Sequence, residues 1–201
     1  DVYKILLDPL PVHFKKDILN PIYWWSDDLR KKIKRYRLKS SESRDFIRTI
    51  LHKHPELEPL LPKTKKGLEV IEFESGKGVQ KIFLYEDLPI LVELSDGDII
   101  PYIETAEKKD LKLPRVVIDL GAVPYIAKGA DVMGPGIVRV DGEVKEGDLV
   151  LVTDEKFGRV IAIGRALRDE KEMTNRGKSV KNLHHAGDAF WKVVMGTRDE
   201  F

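Results

Sequence analysis

Hydrophobic and polar positions change rhythm along the chain. Behind Ser41 and Ser43, the residues Phe46, Ile47, Ile50 and Leu51 recur at helical spacing, and His54–Pro55 closes the run because proline bars its predecessor from helical backbone. From Leu68 the apolar runs shorten to LEVIEFE, QKIFLYED, LPILVELSD and IIPYIE. Alternation in the first of these and the turn sequence ESGKGV after it predict antiparallel strands. Upstream, PIYWWSDDLRKKIKRY predicts a helix from Pro21 with Asn20 as its N-cap. Residues 29 to 105 therefore read as helices against a small sheet, and the charged stretch ETAEKKDLKLP at 104–114 is the linker candidate.

Beyond Arg115 the pattern is mostly that of strands. RVVIDL ends at Gly121, AVPYIAKG has room for about two helical turns, and IVRVDGEVKEGDLVLVT carries a hairpin signal at Asp141–Gly142 and a second turn at Glu146 to Asp148. GRVIAIGRALR and FWKVVMG supply later strands, with a helical turn around Glu170 to Asn175. About six strands at this spacing predict a small closed or half-closed barrel.

Charge divides the chain differently. Net charge is only +1, yet residues 1–66 hold 16 Lys/Arg against 9 Asp/Glu, residues 67–114 hold 5 against 11, and the remainder is balanced at 14 each. Ten of the basic residues lie between Leu29 and Lys53, either as a solvated face or as a patch facing phosphate. The absence of cysteine removes disulfides, thiolate metal sites and cysteine nucleophiles. Three Asn and one Gln beside abundant Lys and Glu resemble the composition of proteins from hot environments. No apolar run approaches the roughly 20 residues of a membrane span, so a cytoplasmic location without membrane contact is expected.

The stretch KGADVMGPGI, Lys128 to Ile137, sets three glycines and a proline between apolar runs. Together with DLGA at Asp119 to Ala122 and EGDLVLV, it resembles the PUA domain, the RNA-binding module named for pseudouridine synthases and archaeosine transglycosylases. This similarity covers Arg115 to about Gly196. SRDFIRTILHKHPELEPLLPK, then a small sheet, then such a domain, resembles the family of the malignant T-cell-amplified sequence protein and ligatin, translation factors of the small ribosomal subunit. The resemblance implies an α+β protein with an arm at 1–33, an α/β domain with a small antiparallel sheet at 34–110, and a β-barrel-like PUA domain at 114–196.

It further implies an RNA groove bordered by Tyr125 to Lys128, Gly129 to Asp131, and Val132 onward. There Gly129 and Ala130 would let phosphate or base approach the main chain. Lys128 would supply a charged contact, Asp131 an acceptor for an exocyclic amine or ribose hydroxyl, and Val132 and Met133 a surface for an unstacked base. Arg35, Arg37 and Lys39 would add backbone contacts from the basic segment. Trp24 and Trp25 in the arm read as packing or interface residues.

Other constellations carry less. His184–His185 lacks a third ligand nearby and would point to opposite faces of a strand, so no metal site is expected. GKGVQK is not a phosphate loop, no serine has an evident base, and no cofactor motif is present. The expected function is a non-catalytic RNA-binding protein contacting tRNA or small-subunit rRNA, with the small subunit or a translation factor as partner. An RNA-modification enzyme or its accessory subunit, or a protein-interaction module, are the alternatives.

Overall fold

Alternation in the middle of the chain produces a five-stranded antiparallel sheet in sequence order: β1 (Ile33–Arg37), β2 (Glu69–Ser75), β3 (Gly78–Tyr85), β4 (Leu88–Glu93) and β5 (Ile99–Pro101). The computed structural model describes residues 33–63, 67–109 and 111–198. Trp24, Trp25 and the helix start at Asn20 and Pro21 lie outside the described residues. By contact density the described residues up to Lys112 form one unit and those from Leu113 a second.

In the first unit, α1 (Ser40–Lys53) starts where the Glu42 carboxylate accepts the Lys39 N–H at 2.8 Å and stops at His54, as the proline after it requires. Its Phe46 stacks on Phe83 of β3 with ring centroids 4.3 Å apart, and buried Ser43 accepts the Leu68 N–H at 3.0 Å. One expectation fails here, and a second is narrowed. Residues 33–36 are strand rather than helix, because pairing of Arg35 with Ile71 and Tyr36 with Val70 outweighs the local propensity of a basic run. The linker candidate is partly α2 (Ile103–Lys108), whose residues Ile103 to Ala106 are buried and whose Glu104 and Lys108 pair one turn apart at 2.8 Å.

The second unit contains β6 (Arg115–Ile118), α3 (Val123–Ile126), β7 (Val132–Met133), β8 (Ile137–Asp141), β9 (Leu149–Asp154), β10 (Val160–Ala166), β11 (Lys178–His185) and α4 (Ala189–Arg198). Strand order is β7-β11-β10-β9-β6-β8, with β6 parallel to β9 and the other pairs antiparallel. The two outermost strands, β7 and β8, are consecutive in the chain across the 3-10 turn Gly134–Gly136, which curls the sheet into a half-barrel. Val116, Ile118, Val132, Val150, Val152 and Val180 fill it.

Asp141–Gly142 is not a hairpin, since β8 pairs with β6 and Gly142, at φ +99°, turns against Pro114 instead. FWKVVMG is helical within α4, not a strand. An Asp188 carboxylate accepting the Trp191 N–H at 2.9 Å caps that helix, and Phe190, Trp191, Val193 and Val194 are buried along it.

Candidate nucleic-acid interface

The loop between α3 and β7 is closed on itself. Lys128 and Ala130 donate their N–H groups to the Tyr125 carbonyl at 3.1 Å, and Gly129 donates to Ile126 at 2.9 Å. The main-chain N–H groups of Lys128, Gly129 and Ala130 are therefore engaged within the turn. From β11, Asn182 Nδ2 donates to the carbonyls of Ile126 at 2.9 Å and Ala130 at 3.1 Å, pinning both ends of the turn. Gly129 sits at φ +92°, and a Cβ there would come within 2.9 Å of His185 Nε2. Glycine is thus required by the turn and the imidazole beside it, before any ligand arrives.

Two further expectations change. Val132 is fully buried among the core residues, so its side chain offers no surface to a base. Asp131 is half-buried: its Oδ1 accepts the Asn182 N–H at 3.1 Å and its Oδ2 pairs with Lys178 at 2.8 Å. Burial opposes its charge, but Lys178 and the Asn182 N–H together hold its carboxyl below the usual carboxylate range. The carboxylate is a strut of the loop, not an open acceptor.

What the loop presents outward is Tyr125, 69% exposed, with Lys128 and Ala130 also exposed, and beyond them Met133 at 47%. An aromatic ring, a cation and a thioether on a pinned loop suit an unstacked base and its phosphate. Asn182 and Lys178 escaped the sequence reading, and His185 entered it only as a rejected metal ligand, because they lie some fifty residues away and reach the loop only through the pairing of β7 with β11. An isolated Asn within KNLHH was their one signal. His184 and His185 do diverge, His184 into the core against Asp188 and His185 toward Gly129.

Arg35, Arg37 and Lys39 stand in the first unit, and two of the three are engaged with acids. Arg35 donates to Glu69 at 2.7 Å and to Asp87 at 2.5 Å, and Arg37 pairs with the other oxygen of Glu69. The Arg37 guanidinium, against the cost of partial burial, and then Arg35 hold Glu69 below the usual carboxylate range. Asp87 and Glu86 form the two-residue turn between β3 and β4 at φ +62° and +50°, a conformation L-residues adopt at a cost, and Arg35 fastens it. Arg35 is thereby a structural residue, whereas Lys39 is exposed. Arg35→Glu is expected to cost the first unit about 2 kcal/mol by setting a third carboxylate between two others. A chemical-denaturation midpoint that does not move would refute this assignment.

A curled six-stranded sheet with this loop at its edge is the PUA fold, and the PUA domain family matches residues 114–186. Translation machinery-associated protein 20 of Schizosaccharomyces pombe is 32% identical over 170 residues, 79% of this chain and 91% of that protein. An uncharacterized protein of Methanocaldococcus jannaschii is 38% identical over 143 residues, 64% of this chain and 88% of its own. The crystal structure of a hypothetical protein from Pyrococcus horikoshii superimposes with a TM-score of 0.64 at 36% identity, covering 80% of this chain and 99% of that one. The chain belongs to the family of translation machinery-associated protein 20 and the malignant T-cell-amplified sequence proteins. Among the described residues no helix is long and apolar enough to cross a membrane.

Proposed function

We propose that the protein is a non-catalytic, cytoplasmic RNA-binding protein of the translation machinery, which contacts tRNA or small-subunit rRNA through the loop 125–133. The carrying observation is the pinned turn that holds Tyr125, Lys128 and Met133 at the surface. Family membership supports the setting, since translation machinery-associated protein 20 is among the relatives. The ring accepts an unstacked base, the ammonium a phosphate, and the turn contributes rigidity in place of backbone donors. A partner at the small subunit, whether a translation factor or the subunit itself, belongs to the same reading.

Lys128→Ala is expected to weaken binding of a tRNA transcript several-fold, to make the slope of log affinity against log salt shallower by about 0.7 to 0.9, and to leave the melting temperature unchanged. Gly129→Val is a poor probe, because the valine would strain the turn and strike His185 whether or not RNA binds. Full affinity and an unchanged salt slope in folded Lys128→Ala would remove the loop from the interface.

A further inference from the structure

At the far end of β9 and β10 the chain turns through residues 155–159, and every N–H in that turn is satisfied. Glu155 donates to the Ile118 carbonyl at 3.0 Å and Gly158 to the Asp154 carbonyl at 3.1 Å. The Asp154 carboxylate, itself buried, accepts from Lys156 at 2.9 Å, Phe157 at 2.6 Å and Arg159 at 2.9 Å. Glu155 reaches across to accept the Leu120 N–H at 3.1 Å, which ties the turn to the segment leading into α3. Five main-chain donors fixed in this way leave the turn rigid.

What this turn holds up is Phe157, 52% exposed, with Lys156 Nζ 4.9 Å and Arg159 Cζ 6.0 Å from its ring centroid. The ring gains little from folding at that exposure, and a turn needs no aromatic. Arg159 adds an independent sign: its Nη1 is shielded from solvent and makes no hydrogen bond among the described residues. Buried guanidinium donors are nearly always paired, and an unpaired one is relieved by an arriving anion. A planar apolar ring with two cations gathered over it matches a ligand that brings a flat ring and an anion within one unit, which is a nucleotide, whose base would take the ring face as the phosphate draws the cations to itself. An acidic peptide would use the cations and leave the ring idle.

Building on the RNA reading above, we propose that the β9–β10 turn is a second RNA contact, in which Phe157 stacks on an unpaired base while Lys156 and Arg159 take the adjoining phosphates. Stacking of this kind tolerates any base, so the site would add affinity without adding sequence preference.

The test uses the full chain with two fluorescent probes, a tRNA transcript and an oligouridylate of about twelve nucleotides. Phe157→Ala should weaken binding roughly five- to a hundredfold while melting normally. Phe157→Tyr, which keeps the ring, should bind within about twofold of the original chain. Arg159→Met should make the salt slope shallower by about 0.7. If the unaltered chain binds either probe and folded Phe157→Ala binds it equally well, the turn is no contact, even where Lys128→Ala still weakens binding. Binding of neither probe would instead overturn the RNA reading itself. Displacement of RNA by polyglutamate as readily as by unlabelled oligouridylate would mark the turn as a site for acidic chains and overturn the stacking proposal.

Discussion

Gly134→Ala is expected to destabilise the C-terminal unit by at least about 3 kcal/mol, enough to lower its melting midpoint by roughly 12 to 24 °C or to prevent folding. Gly134 opens the 3-10 turn that joins the two outermost strands, and its N–H donates to the Gly177 carbonyl at 2.9 Å. A Cβ there would overlap the Asn175 carbonyl and come within 2.9 Å of the Met173 oxygen. Neither neighbour can yield cheaply. Met173 is buried and its carbonyl accepts the Ser179 hydroxyl at 2.6 Å, while Arg168 donates to the carbonyls of Asn175 and Arg176 at 3.2 Å each. Gly136→Ala is the control, since its Cβ would meet only the Ala122 methyl at 3.2 Å and Asp119 Oδ2 at 3.8 Å, and should cost less than about 1 kcal/mol. Equal melting of the two variants would contradict this account of how the sheet edges are joined.

Elements whose signals are local were legible in the sequence. β2, β3 and β4 follow from alternation and their turns, and α1 from its apolar spacing and the His54–Pro55 stop. The 3-10 turn at Glu170–Glu172 falls within the helical turn expected there. Features decided by distant partners were not. The parallel pairing of β6 with β9 leaves no local trace, so the Asp-Gly pair at 141–142 suggested a hairpin that the sheet order overrides. FWKVVMG has the composition of a strand, and only Asp188 just ahead of it marks a helix start.

The candidate site divides in the same way. Its position between α3 and β7 could be read from the glycines and from family resemblance. The assignment of roles within it could not, because Asn182 and Lys178 consume groups that the sequence left unengaged: two loop carbonyls and the Asp131 carboxylate. Arg35 and Arg37 belong to a basic run in one dimension, and only the register of β1 on β2 sets them beside Glu69. A charge count sees the run; the pairing engages two of its members.

Asp188→Ala should also be strongly destabilising, by about 3 kcal/mol, since one side chain satisfies three donors. Its Oδ2 meets His184 Nδ1 at 2.6 Å and accepts the His185 N–H at 3.1 Å, and its Oδ1 accepts the Trp191 N–H at 2.9 Å. Alanine would leave a fully buried imidazole and two backbone donors without that acceptor and would uncap α4. Burial alone would raise the pKa of this carboxyl, yet the charge and hydrogen bond of His184, then His185 and the Trp191 N–H, hold it below the usual carboxylate range. A depressed folded-state pKa contributes stability that is present above the unfolded value, near 3.8, and is lost as pH falls through the folded value. Asp188→Asn keeps the cap acceptor but cannot ionise. Denaturation midpoints of the original chain and Asp188→Asn should therefore converge as pH drops below about 4. A difference that persists undiminished into strong acid would show that the negative charge of Asp188 is not what holds the start of α4 to the end of β11.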